Sequence, residues 1–287
     1  MSILQVENLT YKYGVGTPFE KTSVNKVSFT VNKGEVIGVI GHTGSGKSTL
    51  VQMLNGLIKP DSGSVILEGN DIWKHPKKIR EVRFKVGMVF QYPEYQLFEE
   101  TVAKDIAFGP TNMGLSQEEI NLRIKSSAEF AGLSKTLLDK SPFDLSGGEK
   151  RRAAIAGVIA MEPEILILDE PTAGLDPMGR EQLLAQINSY HKRKGNTILL
   201  VSHSMEDIAR ISDRVLVMHN GNLEMFDTPN AVFAQGERLN KMGLKIPQIT
   251  QIMNTLYDKG YNVPKGVLTI EQAVNSLLPL LKKGECS

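Results

Sequence analysis

Gly41-His42-Thr43-Gly44-Ser45-Gly46-Lys47-Ser48 follows directly on the apolar stretch 35–40 and runs into a helical pattern over 47–57. Strand, glycine-rich loop and helix in that order are the setting in which these residue types cradle a phosphate. The glycines let successive backbone N–H groups converge on phosphate oxygens, and the helix N-terminus adds a favourable dipole. Lys47 supplies a point charge and Ser48 a hydroxyl able to ligate Mg²⁺, with Thr49 next in the same cradle. A strand that feeds a helix through such a loop sets the fold class as α/β.

Working outward from that loop, the N-terminal side reads as short β-segments at 3–6 and 27–31, broken by turns at 13–16 and 32–34. On the C-terminal side, Pro60-Asp61-Ser62-Gly63 closes the helix, and strands are predicted at 64–68 and 86–90. Helical periodicity dominates 101–161, where Ser116-Gln117-Glu118-Glu119 is a start signal and Ser146 opens a later helix. Strand and helix then alternate: strands at 165–168, 197–201 and 214–218, helices at 178–193 and 205–211. Alternation of this kind predicts a parallel sheet with crossover helices. Asn220-Gly221 between two apolar runs is a two-residue hairpin signal. Beyond about residue 236 come two amphipathic helical stretches, 247–257 and 269–281, separated by a Gly/Pro segment at 260–266.

Composition sets the outer limits. At 287 residues, 41% hydrophobic and 23% charged, the chain buries a sizeable core without staples. Thirty-three Lys and Arg against 32 Asp and Glu leave a net charge of +1, which gives no overall footprint for nucleic acid. The single cysteine, Cys286, excludes an intramolecular disulfide and a cysteine-built metal site, and suits a reducing compartment. Residues 1–10 alternate apolar and polar and lack a signal-peptide pattern. No run approaches the ~20 apolar residues of a membrane helix, so a cytosolic location is expected and any membrane role comes through a partner.

Two further stretches carry chemistry. Ile165-Leu166-Ile167-Leu168-Asp169-Glu170 is an apolar strand ending in two carboxylates. Asp169 is placed to hold a hydrated Mg²⁺, and Glu170 to orient or deprotonate a water attacking a γ-phosphate. Leu145-Ser146-Gly147-Gly148-Glu149 opens a helix with a serine and two unobstructed glycine N–H groups, a second anion cradle in a chain with one phosphate loop.

In these motifs and their order the sequence resembles the ABC ATPase family over roughly residues 3–226. The resemblance implies a P-loop NTPase fold: an ABC ATPase domain at 1–236 with an antiparallel β-subdomain and a helical subdomain at about 92–161. A small C-terminal helical appendage would then occupy 237–287. It further implies ATP and Mg²⁺ as cofactors, and two such domains facing head to tail, the 145–149 signature of one closing over the ATP of the other. By the same likeness Tyr13 stacks on adenine, with Tyr11 as its rival, and Gln91 reaches the metal and the attacking water. Asp176 belongs to the loop after the carboxylates, and His203 contacts the γ-phosphate. One departure is Glu149, where the family signature usually has Gln.

Three stretches look more specifically like the ATPases of energy-coupling factor (ECF) transporters, which take up vitamins or transition-metal ions. They are Phe90-Gln91-Tyr92-Pro93-Glu94-Tyr95-Gln96-Leu97-Phe98, Asp105-Ile106-Ala107-Phe108-Gly109-Pro110 and Lys150-Arg151-Arg152-Ala153-Ala154-Ile155-Ala156-Gly157. The run 169–176 looks more like the second ATPase type. The implied partners are a second ABC ATPase subunit in a heterodimer, a transmembrane coupling subunit and a substrate-binding membrane subunit, at the cytoplasmic face of the membrane. Residues 92–100 join three aromatics to Glu94, Glu99 and Glu100, and are expected to form a groove whose glutamates accept arginines of the coupling subunit. Competing readings are a conventional importer or exporter ATPase, a nucleic-acid-linked ABC ATPase and a non-hydrolysing subunit. One phosphate loop and the absence of an extended heptad run weigh against the second, and Glu170 beside Asp169 against the third.

Overall fold

The computed structural model describes residues 1–284, so Cys286 lies outside the described residues. Its strands fall into two sheets. The N-terminal strands β1 (Ser2–Tyr13) and β2 (Lys21–Asn32) form a long antiparallel ribbon. β3 (Val36–Ile40) then leads through the 41–46 loop into α1 (Lys47–Leu54). β4 (Ser62–Leu67) and β5 (Asn70–Asp71) return to the ribbon and complete a four-stranded sheet in the order β2-β1-β4-β5. β1 reaches well past the predicted 3–6 because its alternation continues through Leu9 and Tyr11. Asn8 absorbs a register shift there in the left-handed conformation, at φ 48°.

α2 (Ile79–Lys85) precedes β6 (Val86–Val89), and α3 (Val102–Asn112), α4 (Gln117–Phe130) and α5 (Gly147–Ile159) follow as a helical block. Val102, Ile106, Ala128, Leu145, Ala153 and Ala156 bury a core of their own there. β7 (Ile165–Asp169), α6 (Pro177–Lys194), β8 (Thr197–Val201), α7 (Met205–Ile211), β9 (Arg214–His219) and β10 (Asn222–Asp227) supply the rest of the main sheet. Its order is β10-β9-β3-β8-β7-β6, parallel except for the β9–β10 hairpin at Asn220-Gly221. The arrangement is of the α/β class that the strand–loop–helix order predicts.

The central strands are buried on both faces, which is why they read as unbroken apolar runs. Ile165 and Ile167 pack with α1 and the antiparallel sheet, whereas Leu166 and Leu168 face α5, α6 and α7. α8 (Pro229–Phe233) and α9 (Gly236–Lys241) follow, and Leu239 of α9 with Met242 and Leu244 just beyond it still pack in that second cluster, as does Leu268. α10 (Gln248–Asp258) and α11 (Ile270–Gly284) enclose a separate small cluster of Met253, Val263, Val267 and Ala273. Helices α2, α8 and α9 are absent from the sequence reading: α2 buries none of its residues and so shows no apolar stripe, and α8 and α9 span only 5 and 6 residues.

Gly63 is the second residue of β4, at φ +85°, and a Cβ there would stand 2.4 Å from the Glu7 carbonyl oxygen and 2.5 Å from that of Asn8. Gly69 has a similar φ of +77° with nothing within 4 Å. Gly63→Ala is therefore expected to lower stability by about 1–3 kcal/mol more than Gly69→Ala, which meets only the backbone penalty. Urea unfolding of the two variants checks the order, and equal midpoints would contradict it.

Candidate active site

The 41–46 loop leaves the carboxyl end of β3 and wraps the start of α1. Gly46 holds φ 102°, and a Cβ on it would lie 2.2 Å from the carbonyl oxygen of Ser23, so the ribbon presses directly on the loop. Lys47 Nζ donates to the carbonyls of Gly41 at 2.7 Å and His42 at 3.1 Å, which aims its ammonium across the loop. Burial pushes the Lys47 pKa down, and the carboxylates of Glu170 and Asp169 oppose that shift. The backbone N–H groups of Gly44, Gly46, Lys47 and Ser48 have no partner among the described residues, which leaves a set of donors for phosphate oxygens. Beside them opens a cavity of about 240 Å³ lined by Tyr13, Lys21, Ser23, Gly44 and residues 46–49.

Tyr13 is 44% exposed, its ring edge-on to Tyr11 at 4.9 Å, with its hydroxyl 3.2 Å from that of Thr49. It borders the cavity, whereas Tyr11 packs against the core. Lys21 and Ser23 share the cavity wall although the sequence reading passes over both. Ser23 donates to the Thr49 hydroxyl at 2.8 Å. His42 leans on His219 with ring centroids 5.0 Å apart, and the hairpin behind it donates from Gly221 N–H to the Ser45 carbonyl at 3.0 Å.

The carboxyl ends of three more parallel strands bring the other groups to this edge. Asp169 ends β7, 5% exposed, and burial raises its pKa while a hydrogen bond from the Ser48 hydroxyl and the charge of Lys47 pull it down. Glu170 follows in the left-handed region at φ 50°, a conformation that costs a non-glycine residue free energy and is found where geometry is over-determined. Its N–H donates to Val201 O at 3.0 Å, extending the β7–β8 ladder. The side chain then lies between two partners: His203 Nε2 is 2.6 Å from Oε1, and Gln91 Nε2 donates to Oε2 at 3.2 Å. Gln91, Glu170 and His203, far apart in the chain, form one cluster beside Asp169, Ser48 and Lys47.

The donor set suits Mg²⁺. Ser48 and Asp169 offer oxygens only, and Gln91 keeps its amide oxygen free because its nitrogen is the group that bonds Glu170. No group of three or more His, Cys, Asp or Glu that could hold a metal occurs among the described residues.

The 145–149 cradle is built differently. Ser146 caps α5 in a reciprocal capping box: its N–H and hydroxyl donate to Glu149 Oε2 at 2.8 and 2.7 Å, and Glu149 N–H donates back at 3.4 Å. Gly147 has open space around it and Gly148 only the far end of Arg152, at 3.7 Å from a built Cβ. None of these residues lines the cavity at the phosphate loop. Asp176 caps α6, accepting from Gly179 N–H at 2.9 Å.

The groove expected over 92–100 needs one correction. Glu94 is not free for an outside arginine, because Arg151 already holds it through Nε at 3.1 Å and Nη2 at 2.9 Å. Glu100 pairs with Lys104, one helical turn on. The aromatics stay open: Tyr95 is 85% exposed, and Phe98 meets Phe108 edge-on at 5.0 Å.

The Ser146 bonds hold the Glu149 carboxyl below its ordinary pKa. A carboxylate depressed in the folded state stabilises above its unfolded pKa, and that contribution is lost as pH falls through the folded value. Glu149→Gln is therefore expected to lower Tm slightly at neutral pH, with the gap closing below the usual carboxylate range. A gap that persists in acid would rule out the charged cap.

The chain matches the ABC transporter family over residues 24–173. It is 55% identical to the energy-coupling factor transporter ATP-binding protein EcfA2 of Clostridium tetani, with 96% of each chain covered. The EcfA2 of Clostridium perfringens is 54% identical, with 97% of this chain and 98% of that one covered. Among solved structures, cbiO1 from Clostridium perfringens, part of the ABC transporter complex cbiONQ, superimposes with a TM-score of 0.74 at 39% identity, covering 88% of this chain and 99% of that one. A dimeric ATP-binding cassette in a post-hydrolysis state with ADP and Pi gives a TM-score of 0.71 at 25% identity, covering 79% and 98%. A relative more than half identical over almost the whole length settles the matter: the chain belongs to the ABC transporter family, among its energy-coupling factor transporter ATP-binding proteins of the EcfA2 type.

Proposed function

We propose that this chain binds and hydrolyses ATP to energise uptake through an ECF transporter. The observation that carries the proposal is the Glu170 carboxylate, held between His203 and Gln91 at the strand edge where Lys47 and Asp169 also converge. In this reading Tyr13 stacks on the adenine. The N–H groups of the 41–49 segment, with Lys47, hold the β- and γ-phosphates. Ser48, Asp169 and Gln91 would hold Mg²⁺, which would supply neutralisation of the charge that develops on the phosphate oxygens.

Glu170 accepts a proton from, or orients, the attacking water, and its strained backbone and two side-chain partners fix where that water stands. His203 donates toward the γ-phosphate once it turns from Glu170. Ser146, Gly147, Gly148 and Glu149 close over the nucleotide of a partner subunit, with Asp176 beside them at the joint. A second ABC ATPase subunit in a heterodimer completes both composite sites. The solutes, vitamins or transition-metal ions, are selected by a substrate-binding membrane subunit. No helix among the described residues is long and apolar enough to cross a membrane; attachment to the cytoplasmic face runs through the coupling subunit at the aromatic surface of residues 92–100. Residues 237–287 add subunit contacts.

Glu170→Gln is expected to cut hydrolysis by about 10²-fold or more while ATP binding is kept; turnover at the wild-type rate would remove Glu170 from its role. Purification of the tagged chain from its native membrane tests the assembly. A second ATPase with a coupling subunit and small, varied membrane proteins supports the ECF reading, and a conventional permease pair overturns it.

A further inference from the structure

Arg151 is a buried cation with four hydrogen bonds among the described residues. Its guanidinium grips Glu94 with two nitrogens, at 3.1 and 2.9 Å, and turns the third, Nη1, to the backbone carbonyls of Pro171 at 3.3 Å and Ala173 at 2.6 Å. The side chain is 6% exposed and that of Glu94 17%. The three places it joins are the three that have to act together. Glu94 sits three residues after Gln91, at the start of the exposed aromatic segment. Pro171 and Ala173 lie in the turn leaving Glu170, whose N–H continues the sheet ladder. Arg151 itself rides on α5, just over one turn from the Ser146 cap. A second contact runs alongside: Tyr92, left-handed at φ 56°, lies 3.9 Å from where a Cβ on Gly174 would be.

We propose that Arg151 is a positioning residue that couples the exposed 92–100 segment to the backbone carrying Glu170, so that displacement of either shifts the other. A planar guanidinium is the one side chain able to take both carboxylate oxygens on one edge and backbone carbonyls on another, and this makes the link rigid in direction as well as length. The two carbonyls satisfy the third nitrogen of a guanidinium that burial would otherwise leave unpaired, and by doing so they tie the ion pair to the turn that follows Glu170. The consequence for function is directional. A subunit docked on the aromatics pulls on Glu94, the guanidinium passes the movement to residues 171–173, and Glu170 changes its aim relative to His203 and Gln91. Nucleotide closing at Glu170 sends the same movement outward.

This inference rests on the ATPase reading above, and its test separates the two. Hydrogen exchange of the full chain, with and without Mg-ATP, is followed at residues 92–100 in the wild type, Glu94→Gln and Arg151→Lys. Nucleotide is expected to change protection of 92–100 in the wild type, and Glu94→Gln, which keeps the volume but not the charge, should lose that response with KM for ATP within about twofold. In the assembled complex its kcat should fall roughly tenfold, since a small misplacement of a catalytic group has that order of cost. Arg151→Lys keeps a buried cation, so the fold is retained and the response is weakened. The double variant should be no worse than the more damaged single one, because both break the same link. An unaltered exchange response in Glu94→Gln, no response in the wild type, or losses that multiply in the double variant and track Tm would each overturn the coupling. Failure of the wild type to assemble with membrane partners would instead refute the transporter reading, with the exchange data still deciding the link.

Discussion

The parallel register of four strands is the constraint on which everything else rests. Val39 stands opposite Val201, Asp169 also opposite Val201, and Val89 opposite Leu168. Because the strands run the same way, their carboxyl ends reach one edge, and whatever follows each strand within a few residues lands there. The phosphate loop after β3, Gln91 after β6, Asp169 and Glu170 at the end of β7 and His203 after β8 are neighbours for that reason alone. A one-residue slip of β7 would turn Asp169 to the other face and break the contact with Ser48.

That edge is where burial and charge are set against each other. Desolvation pushes Lys47 and Asp169 towards their neutral forms, and each is pulled back by the other. A buried cation and a buried carboxylate held in this balance respond strongly to an arriving phosphate, because the low dielectric that penalises them also magnifies the new interaction. The aliphatic layers around β7, with Ile165 and Ile167 on one face and Leu166 and Leu168 on the other, keep water out and hold that dielectric low.

The residues closest to the reacting phosphate were the easiest to read, since their roles depend on local order: a glycine loop before a helix, two carboxylates at the end of an apolar strand. His203 and Gln91 became legible through family resemblance, not through spacing, because a single histidine or glutamine after a strand carries no period. The link from Arg151 to Glu94 was invisible. It joins residues 57 positions apart across two elements, and nothing in either neighbourhood distinguishes those charges from the solvated ones around them. Ser146 is legible as a helix start in the same way as Ser116, and the Ser-x-x-Glu spacing carries the capping role of Glu149 as well. The helix α2 is silent in the sequence because none of its residues is buried, and the packing of Leu239, Met242 and Leu244 into the main core because they lie in and just after a helix of 6 residues, too short to show periodicity.

The two phosphate cradles pose a last question of geometry. The loop at 41–49 borders a cavity to which Ser146, Gly147 and Gly148 contribute nothing, while those three present a capped helix start with open space at Gly147. A helix N-terminus with unobstructed glycines is suited to an anion, yet the phosphate bound by this chain's own loop is not there to meet it. The need is met if the nucleotide comes from a second, similar chain turned to face the first, for then each loop is closed by the other's helix and two equivalent joints form. Such an arrangement makes the open face of α5 a necessity rather than a defect. It also gives the Arg151 link its purpose, since closing on α5 from outside is then felt at Glu170 and at the aromatic segment together.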